Sequence, residues 1–232
     1  MKKFGFVLAS LMAVTFLTNC GGGNSNNNNI VILYTNDVHC AYDTNIGYDG
    51  VAALKKEEQT KNKYVTLVDS GDYIQGAPIG ALTEGASLVR LMNDAKYDLA
   101  ILGNHEFDYG MEALTNDLKM ASFSVLCSNM EYTGKRPTSM LDHTTPYKII
   151  EYGNTKIGYI GVSTPLSYTM SVPKNFMEDG EVVYKFKGGD SGEALASHVQ
   201  ATIDEVRKKN VNYVILLMMF DLNIIFLILI FI

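Results

Sequence analysis

No run of lysines and arginines in the 232 residues is longer than the three of Arg207-Lys208-Lys209, and acidic side chains outnumber basic ones 25 to 19. That shortage excludes polymeric nucleic acid as a bound partner, because a phosphate backbone requires clustered cations. An acidic chain can still process a small phosphate compound if metal ions bring the positive charge. Cysteine is scarce: Cys20, Cys40 and Cys127 show no zinc-type spacing. Cys40 and Cys127 read as small buried residues, with pairing outside the cytoplasm as the alternative. There are only four histidines, so any that share a neighbourhood with carboxylates carry weight. What the chain does have is apolar residues, 47% of the total, enough for one substantial core.

The first twenty residues read as a targeting segment. Lys2 and Lys3 precede an apolar stretch over residues 4–17, too short to span a bilayer comfortably. The sequence Leu17-Thr18-Asn19-Cys20 resembles a bacterial lipoprotein signal, which implies lipid attachment at Cys20, export from the cytoplasm and anchoring to the cell envelope. The alternative is an ordinary secretory peptide cut nearby. A glycine- and asparagine-rich linker over residues 21–29 follows, suited to hold a domain off a membrane.

From residue 30 the pattern becomes strand, loop, helix, repeated. Apolar runs at 30–35, 64–68 and 98–102 read as buried strands, the first covered on both faces. Helical spacing follows over 50–63, 83–95 and 111–120. Each strand ends in a polar cluster: Asn36-Asp37-Val38-His39, then Asp69-Ser70-Gly71-Asp72, then Gly103-Asn104-His105-Glu106-Phe107-Asp108. The clusters lie 35 and then 32 residues apart, the length of a βα unit feeding a parallel sheet. In such sheets ligands bind beyond the carboxyl ends of the strands. One rim would therefore gather Asp37, His39, Asp72, Asn104 and His105.

The rest of the chain reads as a fourth strand at 124–127, a polar loop region over 130–146 and a hairpin of 147–152 with 156–162. The hairpin suggests a second, partly antiparallel sheet. Residues 165–189 read as mostly loop, 191–209 as an amphipathic helix and 213–217 as a strand. His143 and His198 read as surface residues outside the rim. Singly, Asp37 and Asp108 could be helix caps, and Gly103 and Asn104 turn residues. Together, at three successive strand ends, the polar clusters predict a metal site.

Carboxylate, imidazole and amide donors in one place suit zinc, manganese, iron or a similar divalent ion. Asp72, from the middle strand, is placed to bridge two ions. His105 would donate a proton or hydrogen bond to a phosphoryl or leaving-group oxygen, with Asp108 orienting its ring.

Asp37-x-His39, Gly71-Asp72 and Gly103-Asn104-His105-Glu106 resemble the signature of the metallophosphoesterases, the calcineurin-like superfamily. Tyr34-Thr35-Asn36, Tyr73-Ile74-Gln75-Gly76 and Phe107-Asp108-Tyr109-Gly110 around them resemble its 5′-nucleotidase branch. The resemblance implies an α/β fold, a β-sandwich flanked by helices in four αββα layers, over residues 30–217. It implies two divalent ions, Zn, Mn or similar: Asp37 and His39 hold one, Asp72 bridges, Asn104 holds the other, and His105 with Asp108 assists catalysis. It implies hydrolysis of nucleoside monophosphates, UDP-sugars or 2′,3′-cyclic nucleotides: phosphate release from nucleotides, with 2′,3′-cyclic-nucleotide phosphodiesterase action as the alternative.

The sequence also departs from the family. Members supply further metal-binding histidines, one after the strand that residues 213–217 resemble and a Gly-His-x-His later. Here Met218-Met219-Phe220-Asp221 follows that strand, and no histidine occurs after His198. The fold is thus expected to be incomplete at its C-terminal end and the second ion site incomplete. Weak metal binding and little activity follow, or a non-catalytic remnant. Residues 218–232 read as an aberrant apolar tail, the rival being a membrane segment from Tyr213 onward.

Overall fold

The structure, a computed structural model, describes residues 14–17, 29–188, 192–219 and 226–231. The lipid attachment expected at Cys20 and the linker through residue 28 lie outside the described residues.

In chain order the first half contains β1 (Val14–Leu17), β2 (Ile30–Thr35), α1 (Gly47–Lys61), β3 (Tyr64–Asp69), α2 (Pro78–Thr83), α3 (Ala86–Asp94), β4 (Leu99–Ile101), α4 (Met111–Met120) and β5 (Ser124–Leu126). After these come β6 (Met130–Tyr132), β7 (Tyr147–Tyr152), β8 (Thr155–Val162), α5 (Ser167–Met170), β9 (Met177–Glu178), β10 (Glu181–Val182), β11 (Tyr184–Phe186), α6 (Gly192–Arg207), β12 (Tyr213–Met218) and β13 (Phe226–Phe231).

The first sheet has the order β1-β2-β3-β4-β5. Strands β2 to β5 run parallel, and β1 is antiparallel to β2. The second sheet has the order β13-β12-β8-β7 and is mixed, with β8 parallel to β12 and antiparallel to β7. Two short ribbons, β9 with β10 and β6 with β11, complete the strands.

Strand alternation divides the core into three layers of apolar contact. In β2, Ile30, Ile32 and Tyr34 face the second sheet and join Ile157, Tyr159, Ile215 and Leu217 between the sheets. Val31 and Leu33 face the other way, onto α1, α3 and α4 through Val51, Leu88, Met92 and Leu114. Val214, Leu216 and Met218 of β12 turn outward onto Leu195, Val199, Ile203 and Val206 of α6. Each strand's period of two thus covers both faces, and the uninterrupted apolar runs are explained. The result is the four-layer αββα sandwich that the family resemblance implied.

Several expectations need correction. The helix expected over 83–95 starts later, at Ala86, because Glu84 (φ 50°) and Gly85 (φ 97°) take left-handed backbone and separate it from a short helix, Pro78–Thr83, that ends at its expected first residue. His198 is half-buried rather than on the surface, its Nε2 lying 3.0 Å from the Ser128 carbonyl oxygen. Cys40 and Cys127 are both free and buried, which leaves the pairing alternative unrealised. The strand expected at 213–217 is present as Tyr213–Met218, and it is the rival reading of a membrane segment from Tyr213 that fails there. Phe226–Phe231, within the stretch read as a tail, pairs antiparallel with β12. Among the described residues no helix is long and apolar enough to cross a membrane.

Candidate metal centre

The site lies at the carboxyl ends of β2, β3 and β4. The first two loops stay side by side after their strands end. The Asp37 N–H donates to the Gly71 carbonyl (3.0 Å) and the His39 N–H to the Asp72 carbonyl (2.9 Å). Asp37, His39, Cys40 and Asp72 all take positive φ, 46–59°. Non-glycine residues adopt that region rarely, and such strain gathers where a site requires it. The irregular backbone lets Asp37 and His39, two residues apart, point into one space: His39 Nε2 is 2.8 Å from Asp37 Oδ1. His39 Nδ1 faces Gln75, 3.1 Å from both its carbonyl oxygen and Oε1. The hydrogen bond with Asp37 raises the His39 imidazole to about 9.

Asp72 is nearly inaccessible, at 1% exposure. Burial raises its carboxyl to about 6, and the His105 N–H that donates to Oδ1 at 2.7 Å works in the opposite direction. The loop after β4 closes on it. Gly103 has no room for a side chain: a Cβ there would lie 2.3 Å from Asp72 Oδ1 and 2.7 Å from the Met219 sulfur. Asn104 is buried beside it, and a short 3₁₀ turn, His105–Phe107, follows. His105 packs edge-on against His39, ring centroids 5.2 Å apart. Its Nδ1 lies 2.7 Å from Asp108 Oδ2, a contact that raises the imidazole pKa.

One donor atom each from His39, Asp72 and His105 lies within 4.8 Å of the other two. Asp37 touches His39, Asp108 stands behind His105, and Asn104 sits between two residues bonded into the same cluster. Nitrogen and carboxylate oxygen converge here on a buried carboxylate, a donor set that fits a divalent cation of the zinc or manganese kind.

Two carboxylates beneath the site carry no role in the sequence reading. Glu106 is fully buried and accepts four backbone N–H groups: Gly103 (2.7 Å), Asp72 (2.8 Å), Tyr73 (2.8 Å) and Ile74 (3.4 Å). Burial and the nearby Asp72 charge push its carboxyl up, against the pull of those donors. Asp69, also fully buried, accepts from Thr35 Oγ1 (2.5 Å) and the Gly71 N–H (2.8 Å), and burial raises it to about 7. Glu106 stands inside the third motif, so the motif itself was its signal. Asp69 ends an apolar strand, where a carboxylate has no solvent-side reason to be.

The sequence of residues 30–216 matches the model of the calcineurin-like phosphoesterases. The chain belongs to the calcineurin-like phosphoesterase family. Its members use divalent metals, in keeping with the donor set described above. A snake venom 5′-nucleotidase from Crotalus adamanteus is 36% identical over 163 residues, covering 64% of this chain and 28% of the relative. The human 5′-nucleotidase is 29% identical over 204 residues, covering 81% and 33%. The crystal structure of the calcineurin-like phosphoesterase YfkN from Bacillus subtilis superposes with a TM-score of 0.63 at 28% identity, covering 82% of this chain and 61% of that one. This calcineurin-like phosphoesterase chain thus spans about a third or less of the length of these curated relatives.

Proposed function

We propose that this domain is a 5′-nucleotidase-like phosphoester hydrolase, with Asp37, His39, Asp72 and Asn104 holding two divalent ions and His105 with Asp108 serving the leaving group. The observation that carries the reading is the meeting of His39, Asp72 and His105 donor atoms within 4.8 Å at the ends of three parallel strands. Divalent cations held there would supply the positive charge that an acidic chain lacks and the means to activate water toward phosphorus. Asp108 accepts the Nδ1–H of His105, which leaves Nε2 as the nitrogen that meets substrate oxygen. The names of the relatives favour nucleotides as substrates.

Residue 219 argues for impaired binding of the second ion. The Met219 sulfur packs against Gly71 and Gly103, beside Asp72. A thioether is a poor ligand in a shell of nitrogen and carboxylate oxygen. The reading therefore includes weak uptake of the second ion and low turnover. We also propose export and lipid anchoring through Cys20, checked by loss of membrane association in Cys20→Ser.

The decisive experiment measures zinc and manganese uptake together with phosphate release from AMP, set against ring opening of 2′,3′-cyclic AMP. Metal-dependent phosphate release from AMP, lost in Asp72→Asn, supports the reading. Preference for the cyclic substrate moves the chain to the phosphodiesterase alternative. Metal uptake without hydrolysis of either substrate leaves a non-catalytic remnant, and turnover typical of the family refutes the impairment.

A further inference from the structure

We infer that Ser171 is a positioning residue for the His105–Asp108 pair, supplied from the loop that follows β8 of the second sheet. The inference rests on the hydrolase reading for its kinetic consequence and on geometry alone for its structural one.

Asp108 has two carboxylate oxygens, and both are committed. Oδ2 meets His105 Nδ1 at 2.7 Å, while Oδ1 accepts the Ser171 hydroxyl at 2.6 Å. A carboxylate held at one oxygen can swing about its last torsion, whereas one held at both keeps its plane. Ser171 thus fixes the direction from which Asp108 meets the imidazole. Asn175, from the same loop, donates its side-chain N–H to the carbonyls of Phe107 (2.8 Å) and Asp108 (3.3 Å), holding the backbone that bears the carboxylate.

The loop that carries Ser171 is itself anchored at both ends. At its start, Ser163 donates its hydroxyl to the Leu102 carbonyl, one residue before Gly103 (2.7 Å). The Asn129 side-chain amide pairs with the Ser163 backbone, at 2.9 Å and 2.7 Å. Ser167, fully buried, donates its hydroxyl to Thr164 O (2.7 Å), and the Ser171 N–H closes α5 onto Ser167 O (3.0 Å). At the far end Phe176 packs on Phe107, ring centroids 5.0 Å apart. A serine on a free loop would supply a weak and transient bond. Ser171 sits on a segment tied to the strand end that carries the third motif. The second sheet therefore serves catalysis as well as the core, by setting the aim of a general acid that belongs to the first sheet.

The test uses Ser171→Ala and Ser171→Thr in the full chain. Nitrogen-15 NMR of the imidazoles, above the pH at which the ring loses its proton, reports the His105 tautomer and the exchange of its Nδ1–H. His105→Asn assigns the resonance. Ser171→Ala is expected to speed that exchange, because the carboxylate that holds the Nδ1–H loses its second anchor, with Tm and the His39 signal unchanged. Ser171→Thr, which keeps the hydroxyl, restores slow exchange. On AMP with manganese, Ser171→Ala lowers kcat about tenfold and leaves KM unchanged. Unaltered tautomer and exchange in Ser171→Ala overturn the inference, as does a change confined to KM. If no variant hydrolyses any phosphoester, the proposed function fails, and the NMR comparison still decides the role of Ser171.

Discussion

Glu106 receives the backbone N–H of Asp72 at 2.8 Å, so the second motif is held by a side chain of the third. The same carboxylate takes Gly103, Tyr73 and Ile74, and four donors share two oxygens. A carboxylate satisfies that arrangement; an amide turns one donor group toward N–H groups that need an acceptor. Glu106→Gln is expected to lower stability by about 1–3 kcal/mol in urea unfolding, the cost of stranded buried donors. It should also weaken manganese or zinc binding about 10–100-fold, because Asp72 loses its support. Unchanged metal affinity in a folded Glu106→Gln chain would contradict this role.

The contact between the loops after β3 and β4 leaves no space for a methyl group. A Cβ on Gly103 would meet Asp72 Oδ1 at 2.3 Å and the Asp72 backbone nitrogen at 2.7 Å. Backbone cannot rotate away as a flexible side chain can. Gly103→Ala should cost about 1–3 kcal/mol of stability, as overpacking does. It should also abolish the rise in Tm on adding manganese, which thermal scans with and without the ion would reveal.

Asp72 makes the opposite trade. A carboxylate at 1% exposure is a burden on the metal-free fold and an asset once a cation is bound. Asp72→Asn keeps Oδ1 as acceptor for the His105 N–H and removes the charge. The metal-free variant should be at least as stable as the parent. The parent should gain about 2.7 kcal/mol at an ion concentration a hundredfold above its Kd, and the variant should gain nothing. Calorimetry across a manganese titration separates the two curves.

Much of this was legible in the sequence. The run at residues 30–35 announced a strand covered on both faces and that at 213–217 a strand, and in both alternate residues feed different apolar layers. Three polar clusters at strand ends gave the rim, since parallel strands bring their carboxyl ends together whatever the helices between them do. What stayed hidden was long-range. Ser171 lies 63 residues from Asp108 in a stretch with no periodicity, and nothing local distinguishes it from other loop serines. Asp69 and Glu106 stood inside the polar clusters with no role assigned, and only their burial shows them to be anchors for backbone N–H groups. The break between α2 and α3 stayed hidden because the helical spacing was carried back to Thr83, while the backbone at 84 and 85 turns left-handed.

That break exposes one more testable group. Asp117 of α4 is 4% exposed, and its Oδ2 has no hydrogen-bond partner among the described residues. It lies so close to Gly85 that a Cβ there would be 2.4 Å from it. Burial raises its carboxyl to about 7, with the Glu84 charge adding and Arg90 offsetting. The folded state therefore holds this proton more tightly than the unfolded chain, whose aspartates titrate near ~3.9. Protonated Asp117 favours folding, so its contribution is complete below about pH 4 and is lost as pH rises through about 7. Asp117→Asn stays neutral throughout. Its urea midpoint should match the parent's near pH 4 and exceed it at pH 8, by about 1–3 kcal/mol in unfolding free energy. Other buried acids, Asp69 among them, tilt both profiles alike, so the difference between the two chains isolates residue 117. Parallel profiles from pH 4 to 8 would mean that water reaches this carboxylate and that α4 seals the junction less tightly than its packing indicates.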